Sequence, residues 1–173
     1  MRSTTSAAVG SAVFFLAAPG TVVGVIPWLI TGWEFTEPLP YWAVARWVGA
    51  VLIAAGLYVC AHAFARFAAA RGVPIPAAPT EHLVVDGFNR YVRNPMYVAL
   101  LHVLIGEALL FGSVGVLAWA LTAWLVAALF VRFYEEPVLA RMFGAEYAEY
   151  RRNVRAWVPR LRPWRPAAAR PGR

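Results

Sequence analysis

The chain has 173 residues, 61% of them hydrophobic and 14% charged, with 8 Trp and a mean hydropathy of +0.57. A soluble domain is about half apolar and about a quarter charged, so this composition excludes an ordinary water-soluble globule and points to a bilayer as solvent. The formal charge of +7 comes from 16 basic residues, all arginine, against 9 acidic ones; the single cysteine, Cys60, excludes an intramolecular disulfide and a cysteine-based metal cluster.

A hydrocarbon core about 30 Å thick takes about 20 apolar residues per helix. The first such run is Val9 to Trp33, interrupted by Pro19-Gly20 and Pro27. It extends past the roughly 7–15 apolar residues of a signal peptide and reads as a span. The second is Trp42 to Ala70, with Arg46 near its start and Arg66 near its end; Cys60 and His62 read as core residues within it. Pro74, Pro76 and Pro79 then take the chain out of the helix as a loop. The third run is Pro95 to Phe111 and the fourth Val114 to about Phe133, separated by Gly112 and Ser113 alone, which predicts a tight antiparallel hairpin. Beyond Pro137, Val138 to about Val154 carries Leu139, Phe143, Tyr147 and Tyr150 on one helical face and Arg141, Glu146 and Arg152 on the other. That pattern predicts an amphipathic helix lying on the membrane surface or folding over a site. The predicted fold is an all-α integral membrane protein of about four transmembrane helices with a C-terminal amphipathic interfacial helix. One domain covers residues 1–159, and the Arg/Pro-rich tail 160–173 is expected to be disordered and cytoplasmic.

Charge placement sets the expected topology. The Trp33–Trp42 loop carries Glu34 and Glu37 and no base, whereas Arg66 to Arg93 holds four arginines and the chain after Phe130 holds ten. By the positive-inside rule both basic regions and both termini face the cytoplasm, in a plasma or inner membrane. The basic excess is thereby assigned to topology and not to nucleic acid.

Two polar islands bracket the predicted hairpin. In the first, Asp86-Gly87 is a turn signal and Asn94-Pro95 opens the third run; Asn is a good N-cap and Pro is favoured at the first helical position. A helix N-terminus seats a ligand carboxylate, and Tyr91, Arg93 and Tyr97 crowd it with a cation and two rings. The same residues also serve as headgroup anchors, so both readings stand on chemistry alone. In the second island Arg132, Glu135 and Glu136 share a helical face at i, i+3 and i+4, next to Pro137, which is expected to end the fourth helix. There the paired carboxylates read either as half of an Arg–Glu ion pair or as ligands for a cation or hydroxyl. Within the third run, Glu107 is an intramembrane carboxylate and so a functional candidate. His62 and His102 read as structural histidines in preference to a haem pair.

Taken in order, Leu83-Val84-x-x-Gly87, Tyr91-x-Arg93-Asn94-Pro95-x-Tyr97, Glu135-Glu136 and Phe143-Gly144-x-Glu146-Tyr147-x-x-Tyr150 resemble the C-terminal half of the integral-membrane methyltransferases of the isoprenylcysteine carboxyl methyltransferase and phospholipid N-methyltransferase group. The resemblance covers about Thr80 to Pro159. It implies S-adenosylmethionine as cofactor, bound at the cytoplasmic end of the bundle, and a lipophilic or lipid-linked acceptor entering from the membrane. Carried over by position, Leu83, Val84, Asn89, Tyr91, Asn94, Pro95, Met96, Tyr97 and Glu135 would bind the cofactor, and Arg93, Arg132 and Glu136 would carry the catalytic roles; no metal is implied. The chain departs from the pattern at Asn94, where many members have His, and at Asn89, where many have Tyr. Arg132 stands one residue out of register with the substrate-facing arginine of some members. The alternatives are a sterol-reductase-like membrane oxidoreductase using NADPH and a non-catalytic four-helix membrane scaffold.

Overall fold

A computed structural model describes residues 17–69, 83 and 85–165, the side chains of 64–69 excepted. Expectations that fall on residues 9–16, on Ala70 and the loop through Pro74, Pro76 and Pro79, on Val84 and on the tail beyond Arg165 lie outside the described residues. Among the described residues the regular structure is all helical, with no strand. Helix α1 is Ala17–Thr31 and α2 is Ala43–Ala69. A short 3₁₀ turn, Gly87–Arg90, leads into α3, Pro95–Phe111, followed by α4, Val114–Phe130. A five-residue π turn, Val131–Glu135, joins α4 to α5, Glu136–Asn153.

Proline and glycine punctuate α3. Pro95 occupies its first turn, where a missing N–H costs nothing, and Gly112 closes it in the left-handed conformation at φ 67°. Ser113 then caps α4, its hydroxyl accepting from the Val116 N–H at 3.3 Å. Two residues thus make the whole α3–α4 hairpin connection.

Pro137 does not end the helical path. The π turn lengthens the hydrogen-bond ring just before it, with Glu136 N–H donating to the Val131 carbonyl, and helical backbone runs from Val114 to Asn153. The same device recurs in α1, where the π turn Thr21–Val25 precedes Pro27 and Ile26 N–H donates to the Thr21 carbonyl. In both places the wider turn absorbs a proline that would otherwise clash with a carbonyl one turn back.

Two helical stretches are long and apolar enough to cross a membrane by length and composition, Ala43–Ala63 and Val114–Asn153; Ala17–Thr31 and Pro95–Phe111 are apolar but shorter. Large apolar side chains point outward: Trp47 is 75% exposed, Val114 74% and Leu29 69%. Small residues take a large share of the buried positions, among them Ala99, Gly106, Ala108 and Ala120, beside Val103, Leu104 and Val116. This inside-out distribution is what a lipid solvent permits, since tails are as apolar as leucine and helix pairing relies on close backbone approach.

The closest approach is between α2 and α3, which run antiparallel. A Cβ added at Gly56 would lie 2.6 Å from the Ala99 carbonyl oxygen, and one at Gly106 2.6 Å from the Gly49 carbonyl oxygen. Both neighbours are backbone and cannot yield. Gly106→Ala is therefore expected to destabilise by about 1–3 kcal/mol through overpacking, outweighing the gain of about 1 kcal/mol in helix propensity. An unchanged unfolding temperature in detergent would show that these helices do not pack this closely in the membrane.

Helix α5 is two arms joined at an elbow. Gly144 has φ 47° and ψ −117° inside it, a conformation that side chains at a Cβ oppose. The result is visible in long-range contacts: Arg151 Nη2 lies 3.4 Å from Glu136 Oε2, whereas a straight helix would hold these residues about 22 Å apart. The second arm therefore folds back on the first. This corrects the expectation of a single amphipathic helix through this segment.

The segment after α5 is also ordered by contacts. Arg93 N–H donates to the Arg155 carbonyl at 2.9 Å, Arg160 N–H to Tyr91 O at 2.9 Å and Trp164 N–H to Arg90 O at 2.9 Å. Arg90 Nε returns a bond to the Trp164 carbonyl at 2.8 Å. Trp164 is buried with Tyr147, Tyr150 and Val154. The tail reading is thereby corrected for residues 160–165, which strap the first island in place: a Trp between prolines finds apolar cover that its Arg-rich neighbours cannot.

Candidate functional site

The two polar islands meet where α3 begins and α4 passes into α5. Pro95 fixes the start of α3, which places Arg93 just before the helix and Tyr97 in its first turn. The π turn rotates Glu135 and Glu136 toward them. Tyr97 Oη donates to Glu135 Oε1 at 2.8 Å, and Arg93 Nη1 donates to Glu136 Oε1 at 2.7 Å. Adjacent carboxylates thus take different partners, one neutral and one cationic.

Glu136 is the hub. It is buried at 6% exposure, and two further guanidinium groups approach its other oxygen, Arg132 at 3.7 Å and Arg151 at 3.4 Å. Arg93 also donates to Tyr147 Oη at 3.1 Å, linking both arms of the elbow to the start of α3. Burial raises the Tyr147 hydroxyl above its ordinary range, against the opposing pull of the Arg93 charge, and so keeps it protonated. Oε2 itself makes no hydrogen bond among the described residues, so Arg132 and Arg151 meet it by charge alone, while the Arg93 hydrogen bond ties Glu136 to the start of α3.

Glu135 is the more available carboxylate. It lies just past the apolar run of α4, and burial raises its pKa while the Tyr97 hydrogen bond works the other way. Its second oxygen has no partner among the described residues. Aromatic rings gather beside it: Trp157 lies 6.3 Å from Tyr97 and 6.2 Å from Trp124, centroid to centroid. A carboxylate oxygen with an aromatic wall suits a ligand carrying hydroxyls or a positive charge.

The other sequence candidates are placed as follows. Asn94 stands at the N-cap position of α3 but its side chain does not cap; the amide donates instead to the Ala156 carbonyl at 3.2 Å. Pro95 is buried; Met96 and Tyr91 are half-buried. Asn89 accepts the Tyr150 hydroxyl on its backbone carbonyl at 2.7 Å, so its contribution there does not depend on its side chain. Leu83 packs against the Tyr147–Tyr150–Val154–Trp164 cluster. Arg132 is 64% exposed and only loosely paired. Glu107 has a buried oxygen, Oε2, with no hydrogen-bond partner among the described residues. His62 packs edge-on to Phe88 at 4.9 Å, and His102 pairs with the Val98 carbonyl of its own helix at 2.7 Å.

Sequence reasoning missed Arg151, Trp124 and Trp157. A Trp directly after an amphipathic helix and before a proline was the only available sign of Trp157. Arg151 gave none, because its contact depends on the elbow.

The chain shares sequence with a known methyltransferase. It is 33% identical over 84 residues to the protein-S-isoprenylcysteine O-methyltransferase of Schizosaccharomyces pombe, a match covering 44% of this chain and 33% of that protein. The match thus spans about a third of that relative's length. No solved structure matches. The family model for phospholipid methyltransferase matches residues 44–146, more than half of the chain and a stretch that takes in α2, the α3–α4 hairpin, both carboxylates and the elbow glycine, and this chain belongs to that family.

Proposed function

We propose that the protein is a membrane methyltransferase that moves a methyl group from S-adenosylmethionine to a lipophilic or lipid-linked acceptor at the cytoplasmic face. Four spans, α1 to α4, would place the basic regions on that face together. The observation that carries the reading is the Tyr97–Glu135 pair beneath Trp157, at the mouth of the α3–α4 hairpin. The residues fit the donor: a carboxylate oxygen without a partner would take its hydroxyl or ammonium groups, and aromatic rings would face its cationic sulfur. When bound, that cofactor supplies an activated methyl group.

The chain's own contribution is placement and exclusion of water. Methyl transfer is an in-line displacement, and holding the reacting atoms in line supplies much of the rate. Glu135, Tyr97 and the backbone at Asn94 would position the donor, with Leu83 at its apolar edge. Arg93 and Glu136, bound to each other, act as positioning residues for α5. Arg132, exposed and only loosely paired with Glu136, would hold an anionic acceptor, which needs no base. A neutral amine acceptor would instead need Glu135 to take its proton.

The test is calorimetric titration of the detergent-purified full chain with S-adenosylhomocysteine, with NADPH as control. Glu135→Gln is expected to weaken binding by more than tenfold with an unchanged unfolding temperature, since the amide oxygen still accepts from Tyr97. Unchanged affinity would remove Glu135 from the site. NADPH binding in place of S-adenosylhomocysteine would transfer the protein to the reductases, and binding of neither to the scaffolds.

A further inference from the structure

We propose that Glu107 selects the methyl acceptor by its tail, and that this acceptor is a long apolar chain carrying a hydroxyl far from the atom that is methylated. The inference rests on the methyltransferase reading and names its substrate more closely. Tyr97 and Glu107 stand about 15 Å apart along α3 at a rise of about 1.5 Å per residue. Met96, Leu100 and Glu107 recur at i, i+4 and i+11, so they share one face, and all three are half-buried. Their stripe runs between the buried residues Ala99, Val103 and Gly106, which meet the glycines of α2, and Leu104 and Ala108 on the other flank. It begins beside the Tyr97–Glu135 pair and ends at a carboxyl.

That carboxyl lacks what its position demands. A polar group set among apolar helices is costly unless a hydrogen-bonding partner meets it. Glu107 Oε2 is shielded from solvent and has no hydrogen-bond partner among the described residues. Polar side chains in the same half of the bundle are committed elsewhere. Trp42 Nε1 donates to the Leu109 carbonyl at 2.8 Å, and Trp119 Nε1 to the Val22 carbonyl at 2.9 Å. Arg46 pairs with Glu37 at 3.1 Å.

A donor on a molecule lying along the stripe would complete Oε2. A hydroxyl brings that donor without a second charge, whereas an ammonium would have to shed its hydration to enter. Met96 and Leu100 offer apolar cover to the chain between its two polar ends. A plain acyl tail has no donor and would leave Oε2 unpaired, so Glu107 discriminates against it.

The full chain in a neutral detergent is titrated by calorimetry with two pairs of acids. Dodecanoic and ω-hydroxydodecanoic acid are long enough to span the stripe; hexanoic and ω-hydroxyhexanoic acid are not. In the long pair the wild-type preference for the hydroxyl is expected to exceed that of Glu107→Leu about tenfold, the effect of one buried hydrogen bond. Comparing preferences cancels the partition of each acid into detergent. The short pair is expected to show no such difference. Glu107→Gln, whose amide oxygen still accepts, should keep most of the preference. Glu107→Leu should unfold no earlier than the wild-type chain, since it removes an unpaired buried group. The same preference in wild type and Glu107→Leu, or an equal Glu107-dependent preference in the short pair, would overturn the site. Within the wild-type chain alone, a hydroxyl preference no greater in the long pair than in the short would do so too. These titrations need no methyl donor. S-adenosylhomocysteine titrated beside them reads the reaction separately: its failure to bind the wild-type chain would overturn the assignment of the ligand as a methyl acceptor, while its binding without any hydroxyl preference would overturn the tail site alone.

Discussion

Gly144→Ala is expected to open the elbow and to cost more than tenfold in donor affinity, although the substituted residue touches nothing. Its conformation, φ 47° and ψ −117°, is one that a Cβ opposes, and holding alanine there costs about 1–3 kcal/mol. The alternative open to the chain is to straighten α5. That would carry Arg151 away from Glu136, Tyr147 away from Arg93, and the following segment with Trp157 away from Tyr97. Either outcome lowers the unfolding temperature in detergent. Gly20→Ala is the matched control: its Cβ also meets nothing within 4 Å, but its backbone is helical at φ −60° and ψ −37°. There alanine is expected to be neutral or to stabilise by up to about 1 kcal/mol. Equal behaviour of the two variants would show that the elbow is not held by the glycine.

The helices were legible because their ends are marked locally. Pro95, Gly112 and Ser113 act on backbone within one turn, and the observed α3 and the start of α4 fall where these residues predict. The meeting of the two polar islands was legible for a similar reason: a two-residue hairpin leaves little freedom in which ends of α3 and α4 lie together. Pairing within the islands was not, since Glu135 and Glu136 are chemically identical and only the π turn decides which one faces Tyr97 and which faces Arg93. The elbow was hidden by the helical periodicity running through it; Leu139 and Phe143 sit on the same apolar cluster as Tyr147 and Tyr150, as one straight face would. Gly144 stood in that run as the sole sign of a break. The strap was hidden by composition, because Pro and Arg outweigh a single Trp164 in any reading of sequence bias.

Glu136→Gln is expected to be the most destabilising single substitution at the site, at about 3–5 kcal/mol, because it leaves guanidinium groups gathered without their counter-charge. The side chain of Arg93 is 11% exposed and that of Glu136 8%, so water screens the imbalance poorly. Removing the other partner should cost less. In Arg93→Met the carboxylate keeps Arg132 at 3.7 Å and Arg151 at 3.4 Å, and the loss reduces to about 1–3 kcal/mol, the cost of unpaired hydrogen-bonding groups. The asymmetry separates two roles for Glu136. A carboxylate that only accepted a proton during transfer would, as glutamine, abolish turnover in a protein of unchanged stability. A carboxylate that holds the elbow would, as glutamine, lower the unfolding temperature and weaken donor binding together, with Arg93→Met following in the same direction by a smaller step. Thermal unfolding of both variants beside S-adenosylhomocysteine titration reads these quantities directly. Full stability in Glu136→Gln with turnover lost would return this residue to the chemistry and leave the three arginines without a structural purpose.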